Sequence, residues 1–135
     1  MKLTRASSYA LHAVVFMSAQ KDERPVASHV IAQARGIPER FLLKVLKPLV
    51  SAQVLLSIKG PNGGYRLARQ ANEITMLEVL EAVDGPIRGQ APFSREEPDT
   101  PLNRRLGAIC NQAADQARKQ LGKVRVSDLA SKVKD

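Results

Sequence analysis

Apolar positions set the expected architecture before any other property is considered. Leu42, Val45, Leu46 and Leu49 recur at i, i+3, i+4, i+7, the spacing of one helix face. Arg40, Leu43, Lys44 and Lys47 repeat that spacing on the opposite face, and three of these four are basic. Gly36-Ile37-Pro38 opens the run with a turn signal, which predicts a helix over about 38–52. Pro48 lies inside it and removes one backbone hydrogen bond, to the Lys44 carbonyl, so a bend near the helix end is expected. Val54, Leu56 and Ile58 then alternate with Leu55, Ser57 and Lys59, as in a strand. Gly60-Pro61-Asn62-Gly63-Gly64 is a dense turn signal, and Tyr65-Arg66-Leu67-Ala68 supplies the returning strand of a hairpin.

Upstream, Ala6, Tyr9, Ala10, Ala13, Val14 and Met17 form the stripe of a first helix over about 5–20, with Thr4 as its N-cap. His12 falls off that stripe and reads as exposed. Lys21-Asp22-Glu23-Arg24-Pro25 is a polar loop. Ser28 is placed to cap a short second helix ending near Arg35, with Val30, Ile31 and Ala34 inward and His29 solvated.

Downstream, Asn72-Glu73-Ile74 is a short link, and Thr75-x-x-Glu78 is a capping box for a helix over about 76–83. Met76, Val79, Leu80 and Val83 would face the core, and Asp84-Gly85-Pro86 ends the helix. Residues 85–101 hold four prolines and two glycines and read as a long loop. Beyond it, Leu102, Leu106, Ile109, Ala113, Ala117 and Leu121 recur at three- and four-residue steps, the longest helical pattern in the chain. So small a domain offers this helix no obvious core partner. Ala108, Ala113, Ala114 and Ala117 would let a second helix approach closely, so a homodimerisation helix is expected. Lys123-Val124-Arg125-Val126 reads as an extended link, and Ser127 as the cap of a last short helix through Leu129 and Val133.

Charge changes this picture. Of the 135 residues, 1–70 hold 11 Lys/Arg against 3 Asp/Glu, and 71–135 hold 10 against 10, so the whole net +8 sits in the first half. Charge placed on one side in this way points to a polyanion. An anionic membrane surface competes poorly, because no helix combines a strongly basic face with exposed large apolar residues. A helix with one buried and one basic stripe, followed by a glycine-tipped hairpin, meets the needs of a winged helix-turn-helix. The helix would lie in the major groove and the hairpin over the backbone or minor groove of double-stranded DNA. The candidate contacts are Arg40, Leu43, Lys44 and Lys47 on the helix and Lys59, Asn62, Gly63, Gly64, Tyr65 and Arg66 on the hairpin.

The chemistry-bearing residues argue against an enzyme: no Ser-His-Asp or Cys-His pairing is near in sequence, and no carboxylate pair is flanked by turns. The glycine-rich turn is not followed by Lys-Ser or Lys-Thr, against a nucleotide-binding loop. Cys110 is the only cysteine, so no intrachain disulfide forms, which fits a reducing cytoplasm. It reads first as a small, partly buried apolar residue and second as a redox-sensitive thiol; alone it builds neither a zinc site nor an iron–sulfur cluster. No signal peptide or membrane-spanning run is evident.

Several of these segments together resemble a known family. They are Met1-Lys2-Leu3-Thr4 with Tyr9-Ala10, Gly36-Ile37-Pro38 with Leu42, Ile58-Lys59-Gly60-Pro61-Asn62-Gly63-Gly64-Tyr65, Glu78-Val79 and Ala82-Val83-Asp84. They resemble the Rrf-two family of bacterial transcriptional regulators, from Met1 to about Pro86 and more weakly to Leu129. That family includes the iron–sulfur cluster regulator, the nitric-oxide-sensitive repressor and the cysteine-metabolism repressor. The resemblance implies a mainly α fold: a winged helix-turn-helix with a two-stranded β-hairpin wing and a long C-terminal dimerisation helix. It divides the chain into a DNA-binding domain at 1–84, a flexible loop at 85–101, and the dimerisation helix with a short last helix at 102–135. It implies a homodimer on a palindromic operator, acting as a repressor and answering to a small-molecule or protein effector.

Cluster-binding members carry three cysteines in the loop before the long helix, and here residues 85–101 hold none. The chain therefore resembles the cluster-free branch, and neither cofactor nor metal is expected. Two other readings stand beside this one: a protein-interaction module that keeps the fold, and a redox regulator sensing through Cys110.

Overall fold

The computed structural model describes residues 1–20, 22, 24–89 and 100–132. Helix α1 (Arg5–Ser18) starts where expected, with the Thr4 hydroxyl oxygen accepting from the Ser7 N–H at 3.0 Å. Ala10, Ala13, Val14 and Met17 are buried as its stripe predicts, joined by Leu11, while His12 is exposed. Ser7 is also fully buried, and its hydroxyl donates to the exposed Asp84 carboxylate. The Thr4 hydroxyl donates to the same carboxylate at 3.0 Å.

Helix α2 (Ser28–Arg35) departs from expectation in two ways. Ala27 occupies the cap position and Ser28 is already helical, its hydroxyl donating to Glu39 at 2.8 Å. Ile31 and Ala32 are the buried pair, whereas Val30 is 42% exposed and Ala34 also faces out. Two helical turns carry too few apolar residues to fix a rotation, so packing against α1 and α3 decides it. Gly36, at φ +65°, ends α2, and the Ile37 N–H returns to the Ala32 carbonyl at 2.9 Å, a Schellman closure that buries Ile37.

Helix α3 (Glu39–Ser51) runs through Pro48 and buries Leu42, Val45, Leu46 and Leu49, as its spacing predicts. Its end uses the same closure with Gln53 in the left-handed position, at φ +63°. Strand β1 (Leu55–Ile58) then pairs antiparallel with β2 (Gly64–Leu67), Leu56 opposite Arg66 and Ile58 opposite Gly64. The core takes Val54 and Leu55, and leaves Leu56 and Ile58 about two-fifths exposed. The other edge of β2 is tied to the loop before α2: Val26 and Tyr65 exchange both backbone hydrogen bonds at 2.8 Å.

A 3-10 turn (Ala71–Glu73) stands where the link was expected, followed by α4 (Met76–Asp84). Thr75 caps α4 by accepting from the Glu78 N–H at 3.1 Å. The reciprocal arm of the capping box is replaced by an ion pair, with the Glu78 carboxylate meeting Arg69 at 2.6 Å. Gly85, at φ +83°, stops the helix.

Thr100 caps α5 (Pro101–Leu121) through the Asn103 N–H. Arg118 of α5 forms an ion pair with Glu81 of α4, and Leu121 is buried. The chain then pairs with the segment before α4: Met76 donates to the Val124 carbonyl at 2.8 Å and Val126 to the Ile74 carbonyl at 2.9 Å. Helix α6 (Val126–Lys132) begins inside the expected link and returns to α1. Its start is held by Asp128, which accepts from the Arg125 N–H at 2.9 Å, and not by Ser127. A carboxylate two residues into the helix reaches that orphan donor, and the fully buried Val126 draws the link into the core. Val133 lies outside the described residues. One apolar cluster joins Val14, Leu42, Leu55, Val79, Leu121 and Val126.

Candidate nucleic-acid interface

With its apolar stripe turned inward, α3 presents Arg40, Leu43, Lys44 and Lys47 to solvent, and Leu43 is 43% exposed. Phe41, half-buried between the stripes, holds two of the cations. The Arg40 guanidinium lies 4.7 Å and the Lys44 ammonium 5.7 Å from its ring centroid. Such contacts contribute about 0.5–1 kcal/mol each at exposed sites and narrow the side chains' range of positions. Sequence reading passed over Phe41; an aromatic at i+1 and i−3 from two cations was the available signal. Glu39 was also missed. It is the one acidic residue of α3, exposed at the first turn and bonded to Ser28.

In the wing, Lys59 and Asn62 are exposed at the tip. The glycines serve the hairpin's own construction. A Cβ on Gly63 would stand 2.1 Å from the Ile58 carbonyl oxygen, and one on Gly64 would stand 2.4 Å from that of Val26. Tyr65 is half-buried against the core, with its backbone bonded to Val26. Arg66 is half-buried opposite Leu56, and its Nε is withdrawn from solvent. Of the ten residues expected to meet DNA, six therefore present side chains outward: Arg40, Leu43, Lys44, Lys47, Lys59 and Asn62. Gly63, Gly64 and Tyr65 shape and dock the wing, and Arg66 lies half-buried in its second strand.

On α5, Leu102 is 64%, Leu106 40% and Ile109 55% exposed, and Ala113 lies on the same open face. Ala117 is half-buried and Leu121 belongs to the chain's own core. Cys110 is half-buried where the linker crosses the helix; a Cβ on Gly89 would lie 2.2 Å from its carbonyl carbon.

A family model described as Rrf2, iron-dependent transcriptional regulator, matches residues 3–132. The chain belongs to the Rrf2 family. Among its relatives, protein aau3 of Rhizobium meliloti is 35% identical over 102 residues, 76% of this chain and 66% of that protein. The chain thus spans slightly under two thirds of aau3. The transcriptional regulator CymR of Bacillus subtilis is 28% identical over 97% of this chain and 91% of its own length. The solved structure of that CymR, described as the global cysteine regulator, superposes with a TM-score of 0.80 at 25% identity over 99% of each chain. IscR of T. potens shares the fold at a TM-score of 0.73 and 19% identity, covering 100% of this chain and 93% of its own.

The family description names iron, and the donor set here does not fit an iron–sulfur cluster. Such clusters are held by several ligands, chiefly thiolates, and the sequence has one cysteine. Among the described residues, no three His, Cys, Asp or Glu side chains converge on one point. His12 and His29 are exposed on separate helices, and Glu96, Glu97 and Asp99 lie outside the described residues. Among the described residues, no helix is long and apolar enough to cross a membrane.

Proposed function

We propose that this Rrf2-family chain is a sequence-specific DNA-binding repressor of the cytoplasm, acting as a homodimer on a palindromic operator without an iron–sulfur cluster. The observation that carries the reading is the exposed row Arg40, Leu43, Lys44 and Lys47 on a helix whose opposite face is wholly committed to the core. Such a helix enters a major groove without disturbing the fold. Arg40, near its start, donates to the acceptor edge of a guanine, and Leu43 packs on a thymine methyl. Lys47, later in the helix, meets phosphate, as do Lys59 and Asn62 at the wing tip.

Dimerisation is assigned to the open α5 face, Leu102, Leu106, Ile109 and Ala113. Two-fold symmetry then places two recognition helices on a palindrome, and repression follows from occupying the operator. The signal that releases it, a small molecule or a partner protein, acts through contacts other than cluster chemistry. Selection of bound sequences from a random duplex pool tests the reading: a palindrome with half-sites about one helical turn apart is expected. Recovery of no sequence, with binding set by salt alone, would refute it.

A further inference from the structure

We propose that Glu39 determines specificity, its carboxylate accepting from the N4 amino group of a cytosine in each half-site. This rests on reading α3 as the recognition helix. Glu39 is the first residue of α3 and is exposed, one turn ahead of Leu43. Residues at that end of a recognition helix reach base edges. The side chain is also held in place. The Ser28 hydroxyl, from the first residue of α2, donates to Glu39 Oε2 at 2.8 Å, bridging the two helices of the motif. A carboxylate accepts through both oxygens, so Oε1 remains to take a base proton. Its neighbour Arg40 is stacked on Phe41, so the two opposite charges are held by different partners.

Charge decides what such a group does. Among the cations Arg40, Lys44 and Lys47, a carboxylate facing phosphates weakens binding to any DNA. It adds discrimination in exchange. In the major groove, guanine and thymine present acceptor oxygens that a carboxylate repels, adenine presents its N6 donor beside an N7 acceptor that a carboxylate also repels, and cytosine presents an N4 donor with no acceptor beside it. An acid at a helix start also favours the helix dipole. That role alone would change stability and leave base choice untouched, so the two are separable.

The experiment is pool selection and competition binding with wild type, Glu39→Ala, Glu39→Gln and Ser28→Ala, beside thermal melting of each. Wild type should prefer cytosine at one symmetry-related pair of positions, by about 5- to 150-fold over other bases. Glu39→Ala should lose that preference and bind unrelated DNA more tightly. Glu39→Gln, an amide that pairs with adenine, should move the preference toward adenine. Ser28→Ala should keep the choice of cytosine with a smaller ratio. A selective wild type whose preferences survive unchanged in Glu39→Ala overturns this inference alone, whatever the melting temperature. A wild type that selects no sequence overturns the recognition-helix reading and this inference with it.

Discussion

Replacing Ile109 by Glu should dissociate the proposed dimer and leave the protomer folded. Ile109 is 55% exposed and sits between Leu106 and Ala113 on the open face of α5. Full burial of an isoleucine side chain contributes about 1.5–3 kcal/mol, so covering the exposed part contributes about 0.8–1.7 kcal/mol. A two-fold interface uses the position twice, which gives about 2–3 kcal/mol per dimer before the cost of desolvating two carboxylates. The dimer dissociation constant should rise at least roughly 30- to 150-fold. Sedimentation equilibrium measures it directly, and circular dichroism melting verifies that the protomer is intact. Leu121→Ala is the contrasting control. Leu121 is 9% exposed and sits in the core, so this change should cost about 2–5 kcal/mol of folding stability. Wild-type and Ile109→Glu chains with equal dimer constants would refute the assignment of this face.

Lys59→Ala should weaken DNA binding across all sequences and reduce the steepness of log affinity against log salt by about one unit, as expected when one phosphate is no longer neutralised; an unchanged slope places Lys59 off the DNA. Gly64→Ala should cost about 1–3 kcal/mol, because its Cβ would stand 2.4 Å from the Val26 carbonyl oxygen. Amide exchange at Val26 and Tyr65 should quicken in that variant, and unchanged protection there would count against the docking role. Asp84→Ala leaves the buried Ser7 hydroxyl without its acceptor and should cost about 1–3 kcal/mol in urea unfolding; the double variant with Ser7→Ala should recover part of that loss.

Helix α3 and the hairpin were legible because each carries a strong local signal. Thirteen residues of α3 include four apolar positions in one spacing, and five turn residues leave a single place for the hairpin tip. Where local signals were weak, tertiary contacts decided the outcome. Val30 and Ala34 of α2 read as inward, but Ile31 and Ala32 are what α1 and α3 cover. Ser28 and Ser127 both matched a cap signature. Ser28 instead bonds Glu39, and Ser127 lies inside α6, where Asp128 reaches back to the Arg125 N–H. The Asp84 contact with Thr4 and Ser7 spans about eighty residues of chain, and no periodicity reports a pairing of that kind. The wing glycines were visible as a turn, but the carbonyl that Gly64 must clear belongs to Val26, some forty residues earlier.

These non-local contacts join the parts that a regulator has to coordinate. Arg118 ties α5 to Glu81 of α4, and the Glu81 carboxylate also accepts from the Ile87 N–H at 2.8 Å, where the linker leaves α4. Three residues on, Asp84 holds the start of α1 through Thr4 and Ser7. Helix α1 in turn packs against α2, α3 and β2. The open face of α5 is thus connected to the helix that carries Arg40, Lys44 and Lys47 through ion pairs, hydrogen bonds and packed helices. In the proposed dimer, a connection of that kind would transmit a change in the relation of two α5 helices as a change in the spacing of two α3 helices. On the proposed palindrome with fixed half-site separation, affinity would depend on that spacing, so an effector acting along this route would alter it without touching the proposed base-reading residues.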